Sequence, residues 1–84
     1  MKFTYKTNGV CSRSIEIEIS DDGIIENVQF NGGCHGNLQG IAALVKGMKA
    51  DDVIETLQNI KCGFKQTSCP AQLATALKNY KKGE

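Results

Sequence analysis

Four cysteines give this 84-residue sequence its most distinctive chemistry, and they lie at positions 11, 34, 62 and 69. A thiolate is a ligand for zinc and iron and is also a nucleophile, so the chemistry to consider is metal binding or thiol reactivity. Cys69 lies in "TSCP", immediately before an apolar pattern typical of a helix. A helix start carries unpaired N–H groups and the positive end of the peptide dipoles, so it suits a negatively charged ligand or nucleophile.

The composition and charge of the sequence indicate which classes of protein it does not belong to, and in which state its cysteines are expected. The net charge of +1, with basic and acidic residues mixed along the chain, gives no electrostatic signature of nucleic-acid or membrane binding. No apolar stretch is long enough to span a bilayer, and the N-terminus lacks the apolar region of a signal peptide. We therefore expect a cytoplasmic protein with reduced cysteines, and disulfides or free structural or redox thiols are the alternatives.

The first part of the sequence predicts three β-strands. "KFTYKT", "SRSIEIEIS" and "IIENVQF" each alternate apolar and polar residues, and Asp22-Gly23 between the second and third runs is a strong signal for a two-residue hairpin turn. Such a turn fixes the register of that hairpin, which we expect to pair Ile19 with Glu26, Ile17 with Val28 and Ile15 with Phe30. The first strand can pair its lysines with the glutamates of the second, which gives an antiparallel meander.

The rest of the sequence predicts three helices. Apolar residues recur at helical spacing from Asn37 to Met48, "KADDVIETLQNI" gives a shorter helix with Asp51 as its cap, and the third helix runs from about Pro70 to Tyr80. The fold class is therefore α+β: a single domain over residues 1–84, in which a three-stranded antiparallel meander is covered by three helices in two layers.

All four cysteines fall in the predicted connections, where a residue retained only for packing is uncommon. Cys11 precedes the second strand and Cys34 follows the third, so the meander places both at one end of the sheet. Cys62 and Cys69 are joined by the short tether "GFKQTS". We therefore expect the four sulfurs to bind one metal centre, either zinc or an iron-sulfur cluster, and thiolate ligands alone do not choose between them.

His35 follows Cys34 directly and is a candidate fifth ligand, a proton carrier, or a solvated loop histidine. The sequence shows no pattern that would pair this histidine with a serine and a carboxylate in a hydrolytic triad. A Cys69 nucleophile with His35 as its base is the enzymatic alternative. We expect instead a metal-binding module that is not an enzyme.

The motif "TSCPA" at residues 67–71 resembles the one that names the TSCPD domain, with Ala71 in place of the Asp. That domain occurs at the C-terminus of cobalamin-dependent ribonucleotide reductases and as small stand-alone proteins with four cysteines, and the resemblance covers nearly the whole chain. It implies a ribonucleotide reductase or another protein as a partner. An alternative function is then an accessory to ribonucleotide reduction, which either delivers electrons through a dithiol of Cys62 and Cys69 or binds the reductase.

The runs "GIIENVQFNGGCHG", "LVKGMKADDVIETL" and "ALKNY" also resemble the IscU/NifU-type iron-sulfur scaffold proteins. Those proteins fold as a small antiparallel sheet covered by helices, and Cys11, Cys34 and Cys69 match their three cluster cysteines. The resemblance implies a related two-layer fold in which these three cysteines bind a metal centre at the same place.

This chain departs from the scaffold pattern at several positions. It has Arg13 where scaffolds carry Asp, Ser68 where they carry His, and no Leu-Pro-Pro-Val-Lys chaperone segment. It also has an additional thiol, Cys62. The comparison therefore implies a metal held firmly by four sulfurs rather than a cluster that is passed on.

Overall fold

A computed structural model describes residues 1–33, 35–61 and 67–81 of the chain. Within these residues the elements are β1 (Lys2–Lys6), β2 (Ser12–Ile19), β3 (Ile25–Gly32), α1 (His35–Val45), α2 (Ala50–Leu57) and α3 (Cys69–Lys81). The strands form one antiparallel sheet in the order β1-β2-β3. The predicted α+β meander with three helices is confirmed. In that part of the chain, no helix has the length and hydropathy that a membrane span requires.

The sheet register follows the alternation of apolar residues over most of its length. Two of the three predicted pairs are observed, Ile17 with Val28 and Ile15 with Phe30. On the other side of β2, Lys2 lies opposite Glu18, and its Nζ is 3.8 Å from the Glu18 carboxylate. The predicted charge matching between β1 and β2 therefore occurs at this one pair, whereas Lys6 lies opposite Ser14 and Glu16 lies opposite Thr4.

The hairpin between β2 and β3 corrects the prediction of a two-residue turn and of an Ile19–Glu26 pair. The N–H of Gly23 donates to the carbonyl of Ser20, and the N–H of Ser20 donates to the carbonyl of Ile24, both at 2.9 Å. Gly23 has a φ of +81°, so the loop has three residues with glycine in the left-handed position. The register shifts by one residue, and Ile19 pairs with Ile25. Both isoleucines are thereby buried.

A second register shift lies at the start of β2, where Ser12 pairs with Gly32 and Ser14 pairs with Asn31. Arg13 is the extra residue of this β-bulge. Strict alternation outward from the buried Ile15 would turn Arg13 inward and Ser12 outward. The bulge reverses this, because Arg13 is exposed and Ser12 is only 3% exposed.

The core lies between the sheet and the helices. Its fully buried large side chains come from β2, β3, α2 and α3: Ile15, Ile17, Ile19, Ile25, Val53, Leu73 and Leu77. At the edge of this cluster the rings of Phe3 and Tyr80 stack at a centroid separation of 5.2 Å. Because α3 packs onto this core, the position of its first residue is fixed relative to the sheet.

The helix boundaries correct two details of the sequence prediction. The first helix ends at Val45, so Met48 lies in the following connection, although its side chain still packs against the core. Asp51 is not the cap of α2, because the N-cap is Lys49, whose side chain makes no capping hydrogen bond. Asp51 lies in the first turn instead, where a carboxylate is favourable beside the positive end of the helix.

The connection between α1 and α2 runs beside the start of β3. The N–H of Gly47 donates to the carbonyl of Ile25 at 2.8 Å, and the N–H of Ile25 donates to the carbonyl of Met48 at 2.9 Å. The N–H of Ala50 also donates to the carbonyl of Gly23, at 2.8 Å. This connection therefore fixes α2 against the hairpin.

Candidate metal centre

Cys69 is the first residue of α3, and Ser68 caps that helix. The Ser68 hydroxyl accepts a hydrogen bond from the N–H of Ala71 at 3.1 Å and donates one to the carbonyl of Ile60 at 2.6 Å. The hydroxyl therefore pairs one of the otherwise unpaired N–H groups at the start of α3, and it connects the helix start to the segment after α2. The Cys69 side chain is directed inward, since the residue is only 6% exposed.

Cys11 meets Cys69 at one end of the sheet. Cys11 is exposed and lies in the connection from β1 to β2, and its Sγ is 3.7 Å from the Sγ of Cys69. This separation is far longer than the bond of about 2.05 Å in a disulfide, so the two sulfurs are in contact without being bonded to each other. The fold thus places two thiols in contact although they are 58 positions apart in the sequence.

The other two predicted ligands, Cys34 and Cys62, lie outside the described residues, as does the side chain of His35. Their chain neighbours are described. A Cβ placed on Gly33 would lie 3.0 Å from the Sγ of Cys11, and Lys61 lines the cavity beside Cys11 and Cys69. The expectation that all four sulfurs share one centre stays a prediction.

The two sulfurs border a cavity of about 440 Å³. Its lining is largely apolar, with Leu38 and Ile41 from α1 and Pro70 from α3, and Lys61 contributes a cation. Cys69 is buried against this apolar lining, whereas Cys11 is exposed. The local dielectric constant is therefore lower at Cys69, where the attraction between a thiolate and a cation is stronger than in water. The lysine favours a site that carries net negative charge.

A buried hydroxyl also contacts the sulfur of Cys69. The Oγ of Ser12 lies 3.1 Å from the Cys69 Sγ, and both residues are buried. The hydroxyl of Thr7 donates to the carbonyl of Ser12 across the β1–β2 connection. Sequence reasoning missed Ser12, because strand alternation assigns it to the opposite face and only the bulge at Arg13 turns it inward.

Gln72 joins the two segments that carry the cysteine pair. Its Oε1 accepts a hydrogen bond from the N–H of Asn8, and its Nε2 donates to the hydroxyl of Thr67, both at 3.1 Å. Gln72 is 8% exposed and lies one turn after Cys69 on α3. Gln72 lies three residues after Cys69 and therefore on the same face of the helix, and this spacing is the sequence signal from which its position was predictable.

In residues 1–33, 35–61 and 67–81, no group of three or more histidine, cysteine or acidic side chains is arranged to hold a metal ion. Two of the four predicted ligands lie outside these ranges. The described part of the candidate centre is therefore the Cys11–Cys69 pair with the side chains that contact it.

Comparison with protein families gives a match to the TSCPD domain over residues 3–81. No curated protein and no solved structure matches the chain significantly. The match covers both described cysteines of the site and the two that lie outside the described residues.

Proposed function

We propose that this chain, which belongs to the TSCPD domain family, is a metal-binding module whose ligands are Cys11, Cys34, Cys62 and Cys69. The observation that carries the proposal is the 3.7 Å separation of the Cys11 and Cys69 sulfurs. A zinc–sulfur bond of about 2.3 Å in tetrahedral geometry places two ligand sulfurs about 3.8 Å apart. The observed pair therefore fits two ligands of a single ion without movement of the backbone.

The same distance favours one ion over a four-iron cluster. In a four-iron cluster each cysteine binds its own iron, so the cysteine sulfurs lie farther apart than two ligands of one ion. Two thiolates at tetrahedral spacing suit zinc, or one iron of a two-iron cluster. We propose zinc, because one ion bound by four thiolates has the ligand set of a structural zinc site, and the neighbouring Lys61 offsets part of its net negative charge.

The role of the ion is structural. Cys11 belongs to the β1–β2 connection and Cys69 is the first residue of α3, so an ion bound to both would join that connection to the start of the helix. A chain of 84 residues buries a small core, so a metal contributes a large share of its stability. Metal binding of this kind is coupled to folding and contributes on the order of 10 kcal/mol.

Elemental analysis and a visible absorption spectrum of protein purified without oxygen test the proposal. We expect one zinc per chain and no visible colour. Cys11→Ser and Cys69→Ser should lower the zinc content. Ser14→Ala, a control substitution on β2 that removes no cysteine, should not. A chelator should lower the melting temperature of the wild-type protein. Detection of iron and visible colour would indicate an iron-sulfur cluster instead of zinc. Metal-free protein whose melting temperature is unchanged by a chelator would refute the proposal.

A second candidate function is an accessory role in ribonucleotide reduction, with a ribonucleotide reductase as the partner. The contact between the Cys11 and Cys69 thiols favours it, because a dithiol at this separation can reduce a disulfide of the partner by exchange. The partner's disulfide becomes two thiols while this chain forms one disulfide. The dithiol expected from the sequence paired Cys62 with Cys69, and Cys62 lies outside the described residues.

Redox titration separates the two functions. A reversible two-electron couple near the potential of thioredoxin supports the accessory role. Thiols that resist oxidation until a chelator removes zinc support the metal module.

A further inference from the structure

We propose that Ser12 is a positioning residue of this centre, whose hydroxyl donates a hydrogen bond to the Cys69 thiolate and holds it beside Cys11. This inference rests on the proposed metal-binding function. A thiolate bound to a metal carries no proton, so in the contact between the Ser12 Oγ and the Cys69 Sγ the hydroxyl must be the donor. The two atoms are 3.1 Å apart.

The burial of both residues strengthens this contact. Ser12 is 3% exposed and Cys69 is 6% exposed, so water does not readily replace the hydroxyl. In such surroundings a hydrogen bond to a charged acceptor is stronger than a neutral one. It also removes electron density from the sulfur, which is how groups around a metal ligand adjust the metal site.

The fold directs Ser12 to this position by specific means. The bulge at Arg13 turns the Ser12 side chain toward Cys69 instead of away from it. The Thr7 hydroxyl holds the carbonyl of Ser12. A Cβ on Gly33 would lie 3.1 Å from the Ser12 backbone nitrogen, so glycine is what allows the two strand ends to approach this closely. A bulge that redirects a side chain is a recurrent feature of functional sites in sheets.

Ser12→Ala tests the hydrogen bond, with Ser12→Thr as the variant that keeps a hydroxyl. Ser14→Ala is the matched control, because Ser14 lies two residues along β2 and its hydroxyl contacts Asn31 rather than a cysteine. Zinc affinity is measured by competition with a chromophoric chelator. We expect Ser12→Ala to weaken it roughly 10- to 100-fold, the usual cost of removing a group that supports a metal ligand. The threonine variant and the control should remain near the wild-type affinity.

Cobalt-substituted protein provides a readout that a purely structural role of Ser12 would not change. Without the hydrogen bond the Cys69 sulfur is more electron-rich, so the sulfur-to-cobalt charge-transfer band of Ser12→Ala should move to longer wavelength. The Ser14→Ala band should not move. Cadmium-113 NMR of wild-type protein needs no variant: a Ser12 hydroxyl bonded to a cadmium-bound sulfur should show a scalar coupling between its proton and the ion.

The outcomes separate this inference from the proposed function. Wild-type protein that binds zinc, together with a Ser12→Ala variant of unchanged affinity and unshifted cobalt spectrum, overturns the role of Ser12 alone. If Ser12→Ala does not fold, absence of the cadmium coupling in the wild-type protein overturns that role. Wild-type protein that binds neither zinc, cobalt nor cadmium overturns the proposed function and, with it, this inference.

Discussion

Gly33 offers a direct test of how the end of the sheet is packed around Cys11. Its φ is +82°, and a Cβ there would lie 2.9 Å from Leu38 Cδ1, 3.0 Å from Cys11 Sγ and 3.1 Å from the nitrogen of Ser12. Gly33→Ala therefore has two costs. The positive φ costs about 1–2 kcal/mol for a residue with a Cβ, and forcing the neighbours apart costs about 1–3 kcal/mol. We expect a total loss of about 2–5 kcal/mol in the free energy of unfolding.

Gly47→Ala is the matched control for the backbone cost. Gly47 has a φ of +88°, but no atom lies within 4 Å of a Cβ placed on it. Its substitution should therefore lower the free energy of unfolding by only about 1–2 kcal/mol. Urea denaturation of both variants, with slopes compared, gives the difference. Because the extra methyl group of Gly33→Ala contacts the Cys11 sulfur, that variant alone should also lose zinc affinity. Equal destabilisation and equal zinc affinity in the two variants would refute this account of the site.

The remaining predictions concern the helix that carries Cys69. Ser68→Ala removes its cap and should lower the free energy of unfolding by about 0.5–2 kcal/mol in urea denaturation; an unchanged midpoint would contradict the capping role. Gln72→Leu leaves the N–H of Asn8 without its observed acceptor and should cost about 1–3 kcal/mol, whereas Gln58→Leu at an exposed position should cost little. Leu77→Ala in the core should cost about 2–5 kcal/mol by thermal or urea unfolding, and a loss below 1 kcal/mol would mean that this core position is not tightly packed.

Alternation of apolar residues was sufficient to predict the strands and the central register. The pairing of Ile17 with Val28 follows from it, because a slip of one residue would turn the buried face of β2 toward solvent. The turn was predicted less well. Asp22-Gly23 fits a two-residue loop, but the hydrogen bond from the Gly23 N–H to Ser20 closes a three-residue loop, and the shifted register buries Ile25. Local turn signals do not include the gain from burying another isoleucine.

The proximity of the two described cysteines follows from the sequence. Cys69 at a helix start and Cys11 before β2 could be placed from the sequence, because meander topology fixes which connections share an end of the sheet. Ser12 could not be found in this way. A bulge adds one residue without a distinctive sequence signal, and it reverses the facing of each residue beyond it.

The connection from α1 to α2 has a consequence for how copies of this chain behave toward each other. An open sheet ends in a strand whose unpaired backbone groups are a template for another chain. At Ile25 the N–H and the carbonyl are already paired with Met48 and Gly47 of the same molecule. The chain thus protects that stretch of its outer strand against intermolecular sheet extension, and partial unfolding of the α1–α2 connection would open a route to aggregation.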